Sequence, residues 1–131
     1  MTLTPWNYTA DDHSQRTTGN VLATVQIWLT TAGKMWQITY LLHGAQHRLA
    51  SGFAADHAAA QVAAESAFEA FKAKMGETWT ILIAAAKTMA DNRGGHASTA
   101  KGKITRERAE RYDAALVAFK AASTAIMQYR A

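Results

Sequence analysis

His43 and His47, four residues apart, have the spacing closest to metal chemistry in this 131-residue chain, and Asp11-Asp12-His13-Ser14 gathers the residue types of an acid, a base and a nucleophile in one run. The strand register developed below sets the two histidines on opposite sides of a sheet, so they do not converge on one ion. His13, His57 and His96 fall on loops and a helix start, whereas a structural metal site needs three or four converging ligands. The acidic run lies in a polar arm, where consecutive residues do not hold nucleophile, base and orienter in the geometry catalysis demands. No carboxylate pair sits on an expected rigid element beside a histidine or hydroxyl nucleophile. The expectation is a protein that is not an enzyme and carries no cofactor or metal.

The stretch Gly94-Gly-His-Ala-Ser-Thr-Ala-Lys-Gly-Lys-Ile-Thr105 has the glycine and lysine content of a phosphate loop. Its spacing departs from that motif, which needs glycine where Ala97 stands and follows a strand instead of a helix. Charge concentrates here all the same. Arg93 to Arg111 holds six Lys/Arg against two Glu, an excess equal to the +4 of the whole chain. Ammonium and guanidinium groups beside the free N–H groups of a helix start can hold phosphate oxygens. Arg93, Lys101, Lys103, Arg106, Arg108 and Arg111 are therefore the candidate nucleic-acid-binding residues. The plainer reading is a solvated loop followed by Arg106–Glu110 and Glu107–Arg111 pairs on one helix.

Trp28 is the second feature with functional weight. It points away from the expected core, with Gln37 and Gly52 as expected cross-strand neighbours and Leu41 further along that face. An indole over a glycine shields a thin sheet, and it can equally centre a contact patch, since tryptophan is enriched at binding hot spots. Trp28 and Leu41 are the candidate protein-contact residues. Two functions follow. The favoured one is a non-enzymatic module that binds nucleic-acid backbone through the basic linker and helix start. The rival is a small accessory or inhibitor protein, of the kind phages and plasmids encode, acting through an exposed aromatic surface. The partner is accordingly nucleic acid or an acidic protein surface.

The elements that would position these residues are legible as patterns. Val21, Ala23, Val25, Ile27 and Leu29 share one side while Thr24, Gln26 and Thr30 fall on the other, and Trp36, Ile38, Tyr40 and Leu42 repeat the period of two after Ala32-Gly33. A two-residue loop there sets Leu29 opposite Trp36, Ile27 opposite Ile38 and Val25 opposite Tyr40. A second loop at Gly44-Ala45 sets Leu42 opposite His47, Tyr40 opposite Leu49 and Trp36 opposite Phe53. Trp36, Ile38, Tyr40, Leu49 and Phe53 are then expected on one buried face and Trp28 on the other. Asp56 caps a helix running to about Met75, Gly76 interrupts it, a second helix spans Glu77 to Asn92, and a third runs from about Thr105 to Tyr129. At ~1.5 Å per residue the last is roughly 37 Å long, and the unmatched end of its stripe from Tyr112 to Tyr129 is available to a second copy of the chain, a homodimer through the C-terminal helix.

Ala50 to Glu65, a strand running into an alanine-rich helix, is similar to the last strand and helix of double-stranded-RNA-binding domains. The resemblance covers about a quarter of the chain. That family places lysines at the helix start to reach phosphates, where this chain has Asp56 and His57, so the resemblance implies no RNA binding here.

The fold expected is α+β in one domain over 1–131: an irregular arm at 1–19, a three-stranded antiparallel β-meander at 20–54, and a helical part at 55–131 of three helices, the last two an antiparallel hairpin across the basic linker 93–104. The chain has no cysteine and its longest apolar run, Ile81 to Ala86, is far short of the ~18 residues that span a bilayer. A cytoplasmic location without membrane contact is expected.

Overall fold

The computed structural model describes residues 1–10, 13–18, 23–30, 34–42, 45–92 and 103–130. Strands β1 (Asn7–Ala10), β2 (His13–Thr17), β3 (Thr24–Thr30), β4 (Met35–Leu42) and β5 (Ala45–Phe53) form one antiparallel sheet in the order β1-β2-β3-β4-β5, followed by helices α1 (His57–Asp91) and α2 (Lys103–Met127). The class is α+β, but among the described residues the sheet has five strands instead of three and there are two helices instead of three.

The additional strands lie where the irregular arm was expected. Tyr8 pairs with Ser14, and Ser14 and Arg16 pair in turn with Leu29 and Ile27 of β3. The inward positions of β2 are thus Ser14 and Arg16, which leave no apolar alternation to read. Asp11 and Asp12, between these strands, lie outside the described residues.

The β3–β4 register is the one the alternation predicts, with Val25 opposite Tyr40, Ile27 opposite Ile38, Leu29 opposite Trp36 and Trp28 opposite Gln37. The loop residues Ala32 and Gly33 lie outside the described residues. The β4–β5 register departs from expectation in two steps. Leu42 pairs with Ala45 and Tyr40 with His47, a shift of two partners that keeps every side chain on its face. The register then shifts between Ile38 and Thr39, where Thr39 pairs with Arg48 and Ile38 with Ala50, leaving Leu49 as the extra residue of a bulge. Beyond it the parity of β5 is inverted: Phe53 pairs with Met35 on the outer face and is 74% exposed, whereas Leu49 is buried. Gly52 accordingly stands opposite Trp36 and not beside Trp28. A Cβ on Gly52 would come within 2.7 Å of the Trp36 indole, so the ring's close approach requires glycine.

The helix does not break at Gly76. Phe68, Phe71, Met75, Trp79, Leu82 and Ala86 are buried at steps of three and four, a stripe that passes through the glycine uninterrupted. Glycine inside a helix costs about 1 kcal/mol relative to alanine, less than breaking that stripe would forfeit. The start is as the sequence predicts: Asp56 Oδ1 accepts from the Ala59 backbone N–H at 2.8 Å.

Two compact units divide the chain, Met1–Gly76 with Met127–Ala131, and Glu77–Ile126. In the first, one sheet face contributes Val25, Ile27, Leu29, Ile38, Tyr40 and Leu49 to a core shared with Ala60, Ala64, Phe68 and Phe71 of α1. Tyr129 meets the edge of Phe71 at a centroid distance of 5.1 Å. In the second, Trp79, Leu82, Ala85 and Ala86 are buried, as are Ala115, Phe119, Ala122 and Ile126 of α2. The start of α2 lies by the end of α1, where Arg111 Nε donates to Asn92 Oδ1 at 3.1 Å. The stripe that suggested self-association is therefore buried in large part within one chain, with Val117 exposed beside it. Among the described residues no helix is long and apolar enough to cross a membrane.

Candidate functional site

Three groups of residues carry the candidate chemistry, and the structure treats them differently. Of the basic set, Arg93 and Lys101 lie outside the described residues, and Lys103 falls in the first turn of α2. Arg106 and Arg108 are exposed. Arg111 is also exposed, with its Nε engaged by Asn92. Lys103 and Arg106 thus lie in the first turn of α2, the end whose backbone N–H groups have no partner within the helix, and Arg108 and Arg111 lie on the two turns that follow.

Trp28 and Leu41 share the sheet face that points away from the Phe68–Tyr40 core, both half-buried. Their outer-face neighbours are neutral: Trp28 lies between Gln15 and Gln37, and Leu41 between Thr24 and Gln46. Met35 and Phe53 continue this face one step further along the strands.

The third group is a polar cluster on the inner face. His57 Nε2 lies 3.0 Å from Ser14 Oγ. Gln61 Nε2 reaches Tyr8 Oη at 3.0 Å, Ser14 Oγ at 3.2 Å and His57 Nε2 at 3.1 Å. Tyr8 stacks on the imidazole at 5.8 Å between centroids. One turn further along α1, Glu65 Oε1 accepts from Trp6 Nε1 at 2.7 Å and from Arg16 at 3.3 Å, while Arg16 Nε donates to the Thr4 carbonyl at 2.7 Å and its guanidinium sits 5.6 Å from the Trp6 ring centroid. Sequence reasoning passed over this cluster. Its signal is the spacing His57, Gln61, Glu65, three polar residues four apart on a helix where the positions between them are alanine except Val62.

Ser14 and His57 have the separation of a nucleophile and its base. Ser14 is only 2% exposed, and His57 Nδ1 is buried with no hydrogen-bond partner among the described residues, so none of these supplies the third group that orients the ring in a catalytic triad. The cluster ties β1 and β2 to α1. A cleft of about 420 Å³ beside it is lined by residues that include Met1, Arg16, Val62, Glu65, Glu69 and Lys72, a mixture of acids and cations.

His47 packs its ring 6.3 Å from that of Tyr40, and His43 lies outside the described residues. Among the described residues no three His, Asp or Glu side chains are placed to hold a metal ion. No family model, no curated protein and no solved structure matches the chain.

Proposed function

We propose that this protein is a non-enzymatic binding module that engages nucleic-acid backbone through the cations at the start of α2 and the segment before it. The observation that carries this reading is the concentration of Arg93, Lys101, Lys103, Arg106, Arg108 and Arg111 in nineteen positions, with Arg106 and Arg108 standing in solvent on the first turns of a 25-residue helix. Cations on a helix start suit phosphate contacts that fix position without reading bases.

Binding of this kind releases counterions. With about four phosphates neutralised, the log–log slope of affinity against salt on duplex DNA is roughly −3.6, and replacing Lys101 and Lys103 by alanine flattens it by up to about two units. Equilibrium titration across a salt series measures both. A folded protein that retains neither duplex nor single-stranded nucleic acid at low salt would overturn the reading.

A further inference from the structure

We propose that the outer face of the sheet is a second, separate site, a platform for single-stranded nucleic acid on which unstacked bases lie against Trp28 and Phe53. The first argument is charge. From His13 to Ala55 the chain contains no Asp or Glu, while it carries Arg16, Lys34 and Arg48. Arg16 faces α1, but Arg48 pairs with Thr39 on the outer face, and both Arg48 and Lys34 are exposed. A polyanion approaching this face meets Arg48, with Lys34 exposed just ahead of β4, and no carboxylate from β2 to β5. The acidic residues of this unit are Asp56 at the N-cap of α1, Glu65 and Glu69 on α1, and Asp11 and Asp12 ahead of β2 in the sequence.

The second argument is the kind of surface between the charges. Phe53 is 74% exposed and Trp28 half-exposed on the same face, separated by two strand spacings, roughly 10 Å laterally. The bulge at Leu49 is what turns Phe53 outward; without it the ring would belong to the core. Between and around the two rings stand Gln26, Gln37 and Ser51, neutral groups that donate and accept and so suit base edges. Thr39, at the centre of the face between Gln26 and Arg48, is 3% exposed and its hydroxyl has no hydrogen-bond partner among the described residues.

Single strands are favoured over duplex because stacking on a sheet requires bases already out of the helix, while Arg48 and the neighbouring Lys34 are too few to track duplex phosphates. A wholly apolar patch would fit a protein equally well, but the absence of carboxylates beside exposed cations selects for a polyanion.

The experiment is a titration of the full chain with oligo(dT) of about twenty nucleotides, read by tryptophan fluorescence and by anisotropy of a labelled strand. The expected results are quenching on binding, and a loss of affinity of about 5- to 150-fold in Trp28→Ala and in Phe53→Ala, with Trp28→Phe retaining most of it. Phe53 is exposed, so its variant folds; circular dichroism controls for Trp28. Duplex binding through α2 should be unaffected by both changes, and the Lys101→Ala, Lys103→Ala protein should still bind the single strand in a Trp28-dependent way. No binding of the single strand, or binding indifferent to Trp28 and Phe53, would overturn the proposal while leaving the α2 reading to its own salt test. A purified protein partner whose binding depends on Trp28 and Phe53, with oligonucleotide binding unchanged in the same variants, would overturn it in favour of a protein-contact face.

Discussion

The β1–β2 hairpin and the β3–β5 meander belong to the same sheet and face the same helix, yet they are held by different physics. The meander turns Val25, Ile27, Leu29, Ile38 and Tyr40 inward, each at most 1% exposed, and its attachment to α1 is non-directional burial. The hairpin turns Tyr8, Ser14 and Arg16 inward and is attached by hydrogen bonds to His57, Gln61 and Glu65. The first attachment tolerates small shifts of position and depends on volume. The second depends on geometry, since a buried polar group that loses its partner retains its desolvation cost. One sheet can therefore be continuous in its backbone ladder and discontinuous in what fixes it to the rest of the fold.

The largest effect separates the two faces of the meander itself. Tyr40→Ala, at a fully buried position, is expected to cost about 3–5 kcal/mol, while Phe53→Ala is expected to fall within about 0.5 kcal/mol of the parent. Both rings lie on neighbouring strands and look alike in the alternation of the sequence. Denaturation midpoints of the two variants test the bulge directly, because comparable losses would mean that Phe53 points inward.

What the sequence disclosed follows this division. Alternation of Val25, Ile27 and Leu29 against Ile38 and Tyr40 was enough to set one hairpin to the residue, because a slip of one would turn every apolar side chain outward. It failed at β5, since an inserted residue reverses parity without altering composition, and Leu49 is as hydrophobic in a bulge as in a ladder. The hairpin at the N-terminus left no periodic trace, because the partners of Ser14 and Trp6 are 43 and 59 residues away. Gly76 misled for the opposite reason: a local propensity was given more weight than the stripe that Met75 and Trp79 carry across it. Of the candidate sites, Trp28 and Leu41 lie on the outer face as their parity required, whereas Arg93 and Lys101 fall outside the described residues.

The next effect tests the directional attachment. Ser14→Ala removes a hydroxyl 3.0 Å from His57 Nε2 in a buried setting and is expected to cost about 1–3 kcal/mol. Replacing His57 by leucine at the same time removes the group that loses this bond, so the double variant should lose less than the two single losses added together. A double-mutant cycle on equilibrium stability measures the difference. Simple additivity would mean that the two side chains are neighbours without being coupled, and the hairpin would then owe its place to the backbone ladder alone.

The smallest effect concerns the outer end of the same attachment. Glu65 accepts from both Trp6 and Arg16, and the side chains of Arg16 and Glu65 are 23% and 42% exposed. Water reaches this pair, so its Coulombic part is worth about 0–1 kcal/mol and is screened by salt. Glu65→Gln keeps an acceptor oxygen for the indole N–H while removing the charge. Its cost should therefore be below about 1 kcal/mol at low ionic strength and shrink further near ~1 M salt, where the Debye length is only about 3 Å. Glu65→Ala removes the acceptor as well and should cost more than the glutamine variant at every salt concentration, by an amount that salt does not change. Stability curves of the three proteins at low and high salt separate the two contributions. If the glutamine and alanine variants lose equally, the charge is what Trp6 and Arg16 gather around; if glutamine is silent, the acceptor oxygen is enough, and the N-terminal segment is held by hydrogen-bond geometry as Ser14 and His57 hold the strand beside it.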